Sequence, residues 1–214
     1  MSSAAVNGSA GCFGKVPQLG DFINNRLPRR FIEPWDLFLR AFLAESRQAL
    51  GEAWLDAYLN GPIWHFALPP GLAGEDAVAG TLMPSVDRVG RYFPLTIALV
   101  VDKVPESLGD PWFERAEMLS LDALGETFDP AALDDRLARL GSLEASLAAP
   151  PSGALWTTFG SGSVPPLALV SNGLPCGCAA TALLDGDCAR WGWDAKPLEP
   201  ATSNPVSADV PNDD

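Results

Sequence analysis

Apolar positions along this chain follow two periods, and the changes between them mark out its elements. Trp35, Phe38, Leu39, Phe42 and Leu43 recur at three-and-four spacing, which puts them on one helical stripe and predicts a helix from Pro34 onward. Proline suits a first turn, where its missing N–H would have no intrahelical partner. Pro28 to Glu33 reads as a turn leading in, and Gly51 breaks or bends the helix. Glu52 to Leu59 makes a second helical stretch through Trp54, Leu55, Tyr58 and Leu59, stopped by Asn60-Gly61-Pro62. Asp110-Pro111 before Trp112 and Asp129-Pro130 before Leu133 are two further helix starts, with Asp accepting from free N–H groups and Pro at the first helical position.

Strand patterns fill the intervals. Cys12 to Val16, Ile63 to Leu68, Ala77 to Met83, Leu155 to Phe159 and Leu167 to Val170 read as strands, and Leu174 to Leu184 as a helix weakened by Gly177. Leu95 to Val101 is apolar almost throughout, the pattern of a central strand covered on both sides. This alternation predicts an α/β fold, a three-layer α-β-α sandwich around a mixed central sheet. The predicted organisation is a flexible N-terminus over residues 1–10, one α/β domain over 11–193, and a Pro-, Ser-, Asn- and Asp-rich disordered tail over 194–214.

Composition narrows the function classes. A formal charge of −13 and 47% apolar residues over 214 positions describe one acidic domain that buries roughly 70% of its extended surface. Such a surface repels phosphate backbones, so nucleic acid is not the expected partner. The acid is concentrated: residues 102–135 hold ten carboxylates against Lys103 and Arg115, while residues 1–47 hold six basic groups against four acidic ones. The opening residues lack the basic flank and apolar run of a secretory signal, and the longest apolar run is half a membrane span. The expectation is a cytoplasmic protein with no membrane insertion and with reduced Cys12, Cys176, Cys178 and Cys188. The Cys176-Gly-Cys178 gap departs from the pairing of structural zinc sites, and no metal or other cofactor is predicted.

The most informative segment is Pro84-Ser-Val-Asp-Arg-Val-Gly-Arg-Tyr-Phe-Pro94, which runs into the apolar stretch from Leu95. Charges packed among Val86, Val89, Tyr92 and Phe93 must be paired if desolvated. Asp21, Asp87, Arg88 and Arg91 are the charged constellation, with two readings: a buried network fixing the loop, or arginines presented to a partner. Ser85 with His65 and Asp87 can be drawn as a hydrolase triad, but no nucleophile-elbow motif surrounds Ser85. Lys15 with Arg91 can be drawn as a phosphate site, but the phosphate-loop spacing is absent. His65, among Trp64, Phe66 and Leu68, reads as a packed strand residue. Trp191 and Trp193 either cap the domain or touch a partner.

Three blocks together, Phe13-Gly-Lys-Val-Pro-Gln-Leu-Gly-Asp-Phe-Ile23, Trp35-Asp36 through Leu59, and Pro84 to Pro94, resemble the TagF/ImpM family of bacterial type VI secretion accessory proteins. The resemblance spans residues 12–185, with Leu155-Trp156-Thr157 and Gly173-Leu174-Pro175 similar to its later blocks. It implies an α-β-α sandwich without catalytic activity that represses the contractile secretion machine after translation. It further implies a forkhead-associated scaffold protein as partner and a separately encoded protein phosphatase as a second. The alternatives are a small hydrolase or phosphate-binding enzyme using Ser85 or Arg91, and a structural subunit of the apparatus. Pro34 before Trp35 and the cysteines near residue 176 depart from the family pattern.

Overall fold

The computed structural model describes residues 8–105, 107–143, 153–193 and 195–197. Its elements in chain order are β1 (Gly11–Gly14), β2 (Ile23–Asn25), α1 (Arg29–Leu50), a 3₁₀ turn (Gly51–Ala53), α2 (Trp54–Leu59), β3 (Trp64–Leu68), β4 (Ala77–Met83) and β5 (Leu95–Val101). After these come α3 (Pro111–Asp122), a 3₁₀ turn (Pro130–Ala132), α4 (Leu133–Arg139), β6 (Ala154–Thr158), β7 (Leu167–Ser171), a 3₁₀ turn (Gly177–Thr181), α5 (Ala182–Asp185) and β8 (Ala195–Pro197).

The strands form one eight-stranded sheet in the order β2-β1-β5-β4-β3-β6-β7-β8. Helices cover both faces, giving the α-β-α layering that the sequence predicts. Every described strand pair is antiparallel, a more uniform sheet than the mixed one expected. Short connections join β3 to β4, β4 to β5 and β6 to β7 as neighbours, and such links favour antiparallel pairing. The N-terminal seven residues, and the expected tail apart from Ala195–Pro197, lie outside the described residues.

Helix α1 begins five residues before the predicted start, so Pro34 lies inside it. Its ring removes the N–H that would bond to the Arg30 carbonyl, and an interior proline costs about 3 kcal/mol. The extra turn buries Phe31 and Ile32, and burial at roughly 1.5–3 kcal/mol for each large apolar side chain offsets that loss. The expected helix over Leu174 to Leu184 is confined to the 3₁₀ turn and the four residues of α5.

Two apolar layers flank the sheet. On one face Phe31, Trp35, Phe38 and Phe42 of α1 meet Phe66 of β3 and Trp156 of β6. On the other, Trp112, Phe113, Ala116 and Leu119 of α3, with Leu133 and Leu137, cover Leu95, Ile97 and Leu99 of β5. Strand β5 therefore feeds both layers, as its continuous apolar run implies. Trp35 is the hub of the first layer: its ring lies 4.9 Å from Phe66 and 5.0 Å from Phe38, and its Nε1 donates to Thr96 Oγ1 at 2.9 Å. Trp35→Ala removes this packing and is expected to cost about 3–5 kcal/mol. Trp35→Phe keeps most of the ring but leaves the buried Thr96 hydroxyl without its donor, a loss of about 1–3 kcal/mol. Urea unfolding checks the order of the two midpoints.

Candidate functional site

The connection between β4 and β5, residues 84–94, is built around one carboxylate. Asp87 is 3% exposed, and its Oδ1 accepts from the Val89 N–H at 3.0 Å and the Arg91 N–H at 2.9 Å. Its Oδ2 accepts from Lys15 Nζ at 2.9 Å and Arg91 Nε at 2.7 Å. The backbone closes the same turn: the Asp87 N–H donates to the Arg91 carbonyl and the Gly90 N–H to the Asp87 carbonyl. Gly90 sits at φ 83, a left-handed conformation that glycine adopts without steric cost.

Asp87 reaches Lys15 because the end of β1 passes close under the start of β5. A Cβ on Gly14 would stand 2.1 Å from the Pro94 carbonyl oxygen, so only glycine permits the approach. Lys15 is itself buried, and its Nζ lies 4.9 Å from the centroid of the Phe22 ring. Phe13, Phe22 and Phe93 close over the ion pair, with Phe22 and Phe93 edge to face at 4.7 Å. From the other side, Tyr58 of α2 donates its hydroxyl to the Ser85 carbonyl at 2.8 Å and accepts from the Ser85 N–H at 3.1 Å. Burial raises the Tyr58 phenol well above its ordinary range and outweighs the effect of its bond to Ser85.

Burial works against the ionised form of Asp87, but the bonds from Arg91, Lys15 and Val89 prevail and hold its carboxyl well below the usual carboxylate range. Two cations and one anion make the cluster net positive. The Arg91 guanidinium also donates to the Gly20 carbonyl at 2.5 Å, tying the loop to the β1–β2 connection. The Arg88 N–H donates to the Leu19 carbonyl at 2.9 Å, while its side chain is exposed and makes no ion pair among the described residues. Beside it Val89 is 65% exposed.

Of the constellation marked in the sequence, Asp87 and Arg91 come together and Asp21 and Arg88 do not join them. Asp21 is exposed and accepts from the Phe22 N–H at 2.8 Å. Sequence reading left Lys15 out of this cluster. Its setting in Phe13-Gly14-Lys15, where a lone cation sits in an apolar strand, was the available signal, and the partner lies 72 positions away.

The enzyme-like arrangements do not assemble. Ser85 Oγ donates to the Lys15 carbonyl at 2.8 Å, and His65 Nε2 lies 2.7 Å from Glu117 Oε2 on the α3 side of the sheet. Ser85, His65 and Asp87 thus have separate partners. Lys15 and Arg91, drawn from sequence as phosphate ligands, both neutralise Asp87. Among the described residues, no group of three or more His, Cys, Asp or Glu is placed to hold a metal ion. All four cysteines are free, and burial pushes the Cys12 thiol up to about 12. Trp191 and Trp193 are half-buried against the α1-side layer, their indole N–H groups donating to Asp185 Oδ2 and the Ala179 carbonyl, each at 2.8 Å.

A family model for the TagF N-terminal domain, type VI secretion system-associated, matches residues 11–140. The chain is also similar to PA0076 from Pseudomonas aeruginosa PAO1, whose crystal structure aligns at a TM-score of 0.75 and 35% identity over 90% of this chain and 99% of that one. No curated protein sequence matches.

Asp87→Asn keeps the shape of the side chain and removes the charge that Lys15 and Arg91 share. Stranding those cations is expected to lower the Tm by on the order of 10 °C at neutral pH. A carboxyl held below its ordinary value of 3.8 contributes stability above that value and loses it as pH falls toward the folded-state value. The gap in Tm between the two proteins is therefore widest at neutral pH and narrows progressively as pH falls below 3.8 toward the folded-state value, which differential scanning calorimetry across pH checks.

Proposed function

The chain belongs to the TagF family of type VI secretion-associated proteins and is a non-catalytic accessory protein of that system, and from this premise we propose that it represses secretion after translation by occupying a forkhead-associated component in the cytoplasm. The observation that carries this reading is the presentation of Arg88 and Val89 on a turn whose own charges are spent internally. A loop built on a buried ion pair loses little conformational freedom when it binds, which lowers the entropic cost of recognition. Arg88 is then the free cation, Val89 an apolar contact, and Phe22 and Asp21 the neighbouring exposed residues. Ser85, Asp87 and Arg91 shape the turn, and Trp191 and Trp193 cap the domain edge.

Arginine at such a tip makes planar, multi-donor contacts with a carboxylate or similar acceptor. A local cation on a chain of net charge −13 also orients the encounter with an acidic surface. Occlusion needs no turnover, which agrees with the separate partners of Ser85 and His65. Among the described residues no helix is long and apolar enough to cross a membrane.

The test is co-purification of the forkhead-associated protein with the wild-type chain, Arg88→Glu and Val89→Asp, alongside secretion from cells overproducing each. Both substitutions fall on exposed side chains and are expected to leave the Tm within about 2 °C. Arg88→Glu should weaken capture by at least about tenfold and restore secretion. Retained capture and repression in both variants would refute the assignment of this surface.

A further inference from the structure

We propose that the solvent side of α3, together with Phe159 at the end of β6, is a second docking surface, and that it receives a basic amphipathic helix of a partner protein. The inference does not depend on the forkhead-associated reading, because the surface involves none of the residues of the 84–94 turn.

Three large apolar side chains stand in solvent here: Met118 at 66% exposure, Leu121 at 50% and Phe159 at 58%. Met118 and Leu121 are three residues apart on α3 and so adjacent on its surface. Nothing in the helix requires them outside, since Trp112, Phe113, Ala116 and Leu119 already fill its inner face. Phe159 is linked to the same helix through His65, which lies 5.7 Å from it and bonds Glu117, and exposed apolar groups that neighbour one another on a charged surface mark an interaction site more often than scattered ones do.

Glu117 fixes the polarity of the occupant. It lies one helical turn from Leu121, and its Oε2 is 2.7 Å from His65 Nε2. His65 is buried between Phe113, at 5.2 Å, and Phe159, at 5.7 Å. Its Nδ1 is also buried and has no partner among the described residues. The bond between His65 Nε2 and Glu117 Oε2 holds the carboxyl of Glu117 in place beside an apolar frame of Phe113 and Phe159. Glu114 and Glu126 are exposed nearby on the same segment, which lies in the stretch where ten carboxylates face two basic residues. A cation flanked by apolar side chains complements this pattern, and a basic amphipathic helix supplies both. An anionic membrane surface is repelled by the same charge.

The probe is a fluorescently labelled helical peptide of leucine and lysine, titrated into the full chain, with a leucine and glutamate peptide of the same pattern as control. Saturable binding of the lysine peptide is expected, weakened at least about tenfold by Leu121→Asp and by roughly threefold by Glu117→Gln. Arg88→Glu should leave it unchanged, which separates this surface from the turn. Thermal melts verify folding, and if Leu121→Asp melts early, Phe159→Ser from the neighbouring strand makes the same test. The proposal is overturned if the glutamate peptide binds as tightly, if Leu121→Asp and Phe159→Ser bind like the wild type, or if sedimentation shows a dimer that Leu121→Asp dissolves. The last result would make a second copy of the chain the occupant.

Discussion

The buried carboxylate of Asp87 is the constraint on which the rest of the candidate site depends. A charge taken out of water needs compensation from nearby, and Asp87 receives it from two cations and two backbone N–H groups. Because Lys15 follows β1 and Arg91 lies in the β4–β5 connection, one ion cluster joins segments far apart in the chain. The turn is thereby determined from inside, and its outer residues inherit a set position. Gly14 and Gly90 are the backbone conditions for this, one permitting the close approach of strands and the other the left-handed turn.

The same cluster separates two arginines that sequence alone treats as equals. Arg91 spends its guanidinium on Asp87 and the Gly20 carbonyl. Arg88, three positions earlier, is anchored through its backbone N–H to the Leu19 carbonyl, and its side chain is exposed with no ion pair among the described residues. The hydroxyl of Ser85, the ring of His65 and the amine of Lys15 are each committed to a structural bond.

The sheet divides the molecule by chemistry as well as by position. The α1 face is an aromatic layer ordered around Trp35 and Trp156, where large rings supply most of the buried area. The α3 face is built from smaller aliphatic residues of β4 and β5 under an acidic helix. Charge follows the same division in part: α3 carries Glu114, Glu117 and Asp122 against Arg115, while in α4 Asp134 and Asp135 are matched by Arg136 and Arg139.

Much of this architecture was legible because it is local. The three-and-four stripe of α1, the continuous apolar run of β5 and the Asp-Pro starts of α3 and of the 3₁₀ turn that leads into α4 each lie within one short window, where period and capping chemistry act directly. The start of α1 lies five residues before the one that periodicity predicts, because an interior proline is unfavourable locally and is outweighed by burial of Phe31 and Ile32 in the α1-side core. Strand direction and order were illegible for a similar reason, since they depend on which edges meet. The segment from Pro84 to Pro94 announced that its charges must be paired, and a resemblance carried by ordered blocks pointed to the family. Which charges pair was decided by the tertiary fold alone: a buried carboxylate takes whichever cations the folded chain brings within 3 Å, and Lys15 arrives there only after β1 has joined the sheet beside β5.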